Sequence, residues 1–455
     1  MTEMRKTLVF CGIAVVLAAL ALVTAPRRET PQQFSDLGSP VFPKFTDPNA
    51  ARTLEVITFD EQTGQAVPFK VTFENGVWTI PSHHGYPADA KDRLAKTAAN
   101  VIELKKDDFR TDNVSDHEAC GVIDPLENTA TASLKGRGQR ITIKGDNETV
   151  LADIIVGKPV ENAKGMRFIR LPGQNRVYAS RMNLDISTKF GDWIEKDLLQ
   201  AGRDDFDRIV LSNYSINEQS GRVSEGDRIV LLKEGEWTTA SLRPGEEIVK
   251  ARLDDLLSAL DELKIEGVRP KPEALSASLL RSSETVSISQ ADLVSLQDKG
   301  YFFSKDGRLL SNEGEVQVRT EEGLVYTLRF GEVVYGTGLA VTAGTAAEGR
   351  DGSGPGENRY LFVTVAFDKT LFPEPRDAPS LAYLSKADSL WTAADRTNDE
   401  IHQAHERWAK KLAATEKKTA MLNARFAKWF YVISASSFEK LRPGKSALIE
   451  KKKSS

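Results

Sequence analysis

Cysteine is almost absent from the chain. Cys11 and Cys120 are the two among 455 residues, and neither belongs to a CxxC pair. Cys11 sits in an apolar stretch and Cys120 in a distant polar one. A disulfide framework, a zinc ribbon and a thioredoxin-like redox motif are therefore excluded. A surplus of one charge is missing too: 61 Lys and Arg face 65 Asp and Glu, for a net charge of −4. A general nucleic-acid binder needs a basic surface to displace phosphate counterions, and none is available here. The closing Lys451, Lys452 and Lys453 read as a solvated tail. Three catalytic signatures are lacking as well. There is no GxSxG elbow, no HExxH run and no Walker A loop, so the chain is not the nucleotide-hydrolysing subunit of a transporter.

Long apolar runs are scarce, with one exception. Residues 8–25 (LVFCGIAVVLAALALVTA) carry no charge. At a rise of about 1.5 Å per residue a helix of this length nearly spans a hydrocarbon core of about 30 Å. Arg5 and Lys6 precede it, as in an export signal. Pro26 follows the loosely cleavable Val23-Thr24-Ala25, a position signal peptidases tolerate poorly, so an uncleaved signal anchor is expected over a removed peptide. Arg27 and Arg28 balance Arg5 and Lys6. The very short leading segment tips the expectation toward N-terminus in and body out. The anchor is assigned to residues 1–28 and a Pro- and Ser-rich linker to 29–50.

What the rest of the chain holds is the same pattern twice. KDRLAKTAANVIELK at 91–105 aligns without a gap with KARLDDLLSALDELK at 250–264. The spacing from Trp78 to Lys91 equals that from Trp237 to Lys250. Alternating segments predict strands over 53–59, 69–73, 77–80, 140–143, 150–156, 167–170 and 176–179. Helices are predicted over 89–105 and 189–200. The second copy restarts at 206–211, and its hairpin at 316–331 occupies the place of 141–157, each closing on a glycine, Gly331 or Gly157. A strand over 360–367 follows a Gly-rich connection at 343–358. The expected fold is α+β: two tandem modules of antiparallel sheet plus helix, at 51–205 and 206–376, with both tryptophans as core plugs. A long amphipathic C-terminal helix over 377–434 and a basic tail over 435–455 complete it. Ile401, Trp408, Thr415, Leu422 and Trp429 recur every seven residues, with Leu412, Thr419, Phe426 and Ile433 beside them. That seam suits either packing back onto the second module or a coiled coil with a partner.

Candidate chemical sites are few. His402, His405 and Glu406 share a helix but read HQAHE, which matches no zinc-peptidase pattern. His83 and His84 lie on an extended segment and point to opposite sides, which does not suit one ion. Asp112, Asp116, His117, Glu118 and Cys120 have ligand chemistry at a spacing that fits no metal loop. The glycines of 352–356 lack the lysine of a phosphate loop, and Pro355 removes a donor. All are expected to be structural, leaving no catalytic, cofactor-binding or metal residue assigned.

Several runs resemble a bacterial domain family of unknown function, DUF4340. They are GVIDP at 121–125, WIEKDLL at 193–199, IVLSNYS at 209–215, LSNEGE at 310–315, YTLRFG at 326–331 and RFAKWFYVI at 425–433. The resemblance covers nearly all of the chain after the apolar segment. It implies one N-terminal membrane segment and, for some members, association with auxiliary parts of ABC-type transport systems of the gliding-motility kind. The expectation is a non-enzymatic, membrane-anchored accessory or scaffold protein of the extracytoplasmic side. It would have protein partners in an envelope complex and no nucleic-acid partner. Its rivals are an envelope hydrolase or metal-dependent enzyme using the 112–120 loop, and a periplasmic ligand-binding module.

Overall fold

Antiparallel sheets, with helices between their strands in chain order, form the described structure. The computed structural model describes Ala14 and residues 36–128, 133–182, 186–217, 222–280, 289–336, 338–344 and 357–452. The expected anchor (Ala14 apart), the first part of the linker and the 352–356 turn lie outside the described residues. Among the described residues no helix is long and apolar enough to cross a membrane. Two compact units emerge: Met1–Pro68 with Leu94–Asp185, and Phe69–Arg93 with Ile186–Ser455. These divide the chain elsewhere than at residue 205.

In the first unit six antiparallel strands lie in the order Thr53–Asp60, Gln139–Lys144, Val150–Pro159, Met166–Arg170, Val177–Arg181, Asp108–Thr111. Alternation puts one set of side chains on one face. The rows Val56–Ile141–Ile154 and Leu54–Ile143–Ala152 run across three strands, and all six side chains are buried. The helix Lys91–Ile102 buries Leu94, Thr97, Ala98 and Val101, the inward stripe of a 3.6-residue period.

The second unit has a larger sheet. Its eight antiparallel strands run Glu236–Thr238, Arg228–Glu234, Phe206–Ser212, Glu315–Thr320, Leu324–Val334, Asn358–Phe367, Trp429–Ile433, Gly267–Pro270. One buried row crosses five strands as Leu231, Ile209, Val318, Tyr326 and Val365. A second row is Ile229, Leu211, Val316, Leu328 and Val363. A further core gathers Tyr301, Tyr360, Phe362 and Phe430 with Leu275 and Leu296 from the helices Glu273–Leu280 and Gln290–Gln297. The helix Lys250–Asp261 buries Leu253, Leu256, Leu257 and Leu260, each worth about 2 kcal/mol in transfer from water.

The long helix is Ala393–Ala427, opened by a reciprocal capping box between Thr392 and Asp395. Its seam faces its own unit: Thr415, Leu422 and Phe426 are buried, and the Trp408 indole donates to the Phe372 carbonyl at 3.0 Å. The Asn423 amide donates to the Val365 carbonyl (2.7 Å) and accepts from the Val365 N–H (3.0 Å). It takes the place of a ladder partner where strand Trp429–Ile433, paired through Leu361, has ended.

Five expectations need correction. Residues 429–433 are a buried strand, not the end of a helix, because the run WFYVI is β-branched and aromatic and completes a sheet. Residues 189–200 form no helix beyond the single turn Phe190–Asp192; the Trp193 carbonyl is taken by the Asp89 N–H and its indole by the Ser187 carbonyl. The tail is docked through the helices Ala435–Leu441 and Lys445–Leu448, and strand Ile449–Lys451 pairs with Glu246–Ile248. The linker is bound from Asp36 onward: Val41 and Phe45 are buried, and Asp36 accepts from Lys106 Nζ (2.9 Å) and the Tyr178 hydroxyl (2.5 Å). Trp78 and Trp237 are half-buried on hairpin ends rather than core plugs.

Candidate functional site

The 112–120 loop holds the densest run of ligand-type residues, and Asp112, Asp116 and His117 are engaged in building it. The Asp112 carboxylate accepts two bonds from the Arg176 guanidinium, at 2.8 and 3.0 Å, which holds it below the usual carboxylate range. Asp116 accepts from the Thr111 hydroxyl at 2.7 Å. His117 is buried and its Nε2 donates to the Asn175 carbonyl at 2.8 Å, which assigns the proton to that nitrogen. Cys120 is 3% exposed among Val122, Ile155 and Val177, and burial pushes its thiol up, away from the reactive thiolate. The Glu118 side chain is exposed.

The paired histidines point to different sides, although Pro81–His83 is a 3-10 turn and not the extended segment expected. His83 is buried and stacked on Phe190, with ring centroids 4.3 Å apart. Its Nδ1 meets the Ser82 hydroxyl at 2.9 Å, and its Nε2 is buried with no hydrogen-bond partner among the described residues. Burial, with His84 and Arg269 nearby, lowers its pKa to about 4. His84 turns outward in a left-handed conformation, its Nε2 donating to the Ala343 carbonyl at 2.7 Å. His402 faces Glu406 at 3.6 Å, whereas His405 donates to the Asp377 carbonyl at 2.8 Å, so the two are held by different partners. Among the described residues no group of three or more His, Cys, Asp or Glu is placed to hold a metal ion.

Sequence reasoning missed the buried cations of the second unit. Arg269 donates to the carbonyls of Val268, Ala340 and Val341. Lys271 donates to the Phe426 carbonyl at 2.8 Å and lies 3.8 Å from the centre of the Phe362 ring. Burial lowers the Lys271 pKa well below its ordinary value. The run GVRPK at 267–271 carries no mark of this, since the partners lie up to 155 residues away.

A recess of about 390 Å³ opens beside the end of the long helix. Its walls are Tyr86 and Trp429, edge to face at 5.0 Å, with Met421 on the rim and Leu422 beneath. Arg425, Lys428 and Glu195 supply its charges. The Arg425 guanidinium donates to the Asp197 carbonyl at 3.2 Å. Gln200, also on the lining, is held at a φ of 54° by its N–H bond to the Asp197 carboxylate. Two runs noted in the sequence, 193–199 and 425–433, thus meet at one cavity.

No curated protein and no solved structure matches the chain. Residues 78–282 match the family model described as "Domain of unknown function (DUF4340)", and this part of the chain is similar to that family.

Proposed function

We propose that this chain is a non-enzymatic accessory protein of a membrane complex. The apolar segment 8–25 tethers it, and its body works on the extracytoplasmic side through protein contacts. The observation that carries this reading is the 112–120 loop: its Asp112, Asp116 and His117 bind Arg176, Thr111 and the Asn175 carbonyl, so their polarity serves the fold. An auxiliary place beside an ABC-type transporter rests on the family resemblance.

The body is read as one module built twice. Leu94, Thr97, Ala98 and Val101 stand at the same repeat positions as Leu253, Leu256, Leu257 and Leu260, and both sets are the buried face of a twelve-residue helix. A close approach recurs as well. A Cβ on Gly157 would stand 2.4 Å from the Cys120 carbonyl oxygen, and one on Gly331 would stand 2.1 Å from that of Lys299. Each carbonyl precedes a left-handed glycine, Gly121 at the C-cap of the turn His117–Cys120 and Gly300 three residues past the helix Gln290–Gln297. Both modules would present wide antiparallel sheets as scaffolding.

Affinity capture of the full chain from crosslinked native membranes tests the role. Integral subunits of a transport complex are expected to come with it reproducibly. Recovery of the uncomplexed chain alone, with crosslinking, overturns the reading.

A further inference from the structure

We propose that the recess beside the end of the long helix binds the carboxylate of an apolar or aromatic group, with Arg425 as its anion partner. This goes beyond the accessory role and does not depend on it. The argument starts from the walls. Tyr86 and Trp429 are 4% and 8% exposed, so their rings are fixed by packing and present a preformed apolar surface. Met421, 57% exposed on the rim, adds an adaptable thioether that suits a ligand of variable shape. A volume of about 390 Å³ falls within the range of small-molecule pockets.

The charges select the ligand's polar end. Arg425 and Lys428 both line the cavity, and among the described residues neither has a carboxylate at ion-pair distance. The guanidinium keeps donors beyond the one it places on the Asp197 carbonyl. The negative end of the helix would oppose an anion here, but two of its end carbonyls are covered. That of Phe426 accepts from the Lys428 N–H and Lys271 Nζ, and that of Arg425 from the Tyr431 hydroxyl at 3.4 Å. Among the lining residues Arg425 and Lys428 stand against Glu195, and the Asp197 carboxyl beside Arg425 limits the positive charge further, which suits a monoanion better than a doubly charged phosphate. The Asp197 carboxyl, raised in pKa by burial, spends its oxygen on the Gln200 N–H rather than on Arg425. An apolar body against Trp429 with one carboxylate at Arg425 satisfies every wall.

Such a carboxylate comes either from a free organic acid or from the C-terminus of a peptide. Calorimetric titration of the full-length protein in lipid nanodiscs separates the sources. The probes are 3-phenylpropionate, its amide, a pentapeptide ending in Phe with a free carboxylate, and the same peptide amidated. Saturable binding of at least one acid is expected, weakened about ten- to hundredfold by amidation, the loss expected for a charge-assisted hydrogen bond. Arg425→Met keeps the aliphatic stem and is expected to cause a similar loss. Lys428→Met, at an exposed position, is expected to weaken binding several-fold without touching the fold. Tighter binding of the peptide assigns a C-terminus; equal or tighter binding of 3-phenylpropionate assigns a small acid. Amides that bind as well as acids, affinity unchanged in both variants, or no saturable binding of either acid overturns the proposal.

Discussion

His83 shows what burial does to a titratable side chain in this protein. Its ring lies flat on Phe190 and resists protonation until about pH 4. In the unfolded chain the same ring takes a proton near its ordinary value of 6.5. The unfolded state therefore binds more protons between these values, and stability falls as pH drops from 6.5 toward 4. The loss from this group is on the order of 3 kcal/mol at the acid end. His83→Phe keeps the stacked ring and removes the titration. Urea unfolding at pH 7 and pH 4.5 is expected to show a smaller acid loss in the variant, and parallel losses would contradict the assignment. His83 and His84 do diverge, but the extended segment read from the sequence is a 3-10 turn, Pro81–His83, and the left-handed backbone of His84 turns its ring outward. Arg269, Lys271 and Arg425 were not legible in the sequence. A cation in a sequence carries no sign of burial, and these acquire their partners from carbonyls distant in the chain.

At the scale of elements the hairpins were the most legible part. Strands such as Thr53–Asp60 and Phe206–Ser212 are short apolar-rich runs between turn formers, and pairing in the sheet extends each by a single residue. The end of the long helix misled for a physical reason. Trp429 and Ile433 continue the heptad phase of Leu422 and Phe426, so periodicity alone runs through them. The β-prone composition of the run, and a sheet with a vacant edge, decide for a strand. The paired glycines make the duplication testable. Gly157→Ala and Gly331→Ala each push a methyl group into a carbonyl oxygen, and each is expected to destabilise by about 1–3 kcal/mol in chemical unfolding. A neutral effect at either position would contradict the matched architecture.

For the molecule as a whole, the proposed tether would be shorter than the linker composition suggested. The chain is bound to the first unit from Asp36, so the ten steps of chain from Pro26 to Asp36 can span at most about 35 Å. A body held that near a membrane surface is suited to contact with embedded partners rather than to reaching across an envelope. Cys120 cannot report its side of the membrane, because it is buried at 3% exposure. The exposed turn after strand Thr53–Asp60 offers a better handle in Gln62→Cys. Labelling of this variant in intact spheroplasts with a membrane-impermeant maleimide measures the placement directly. Full labelling before permeabilisation, with none in the parent protein, is the expected result. Labelling that appears only after the cells are opened would put the body in the cytoplasm and contradict the account.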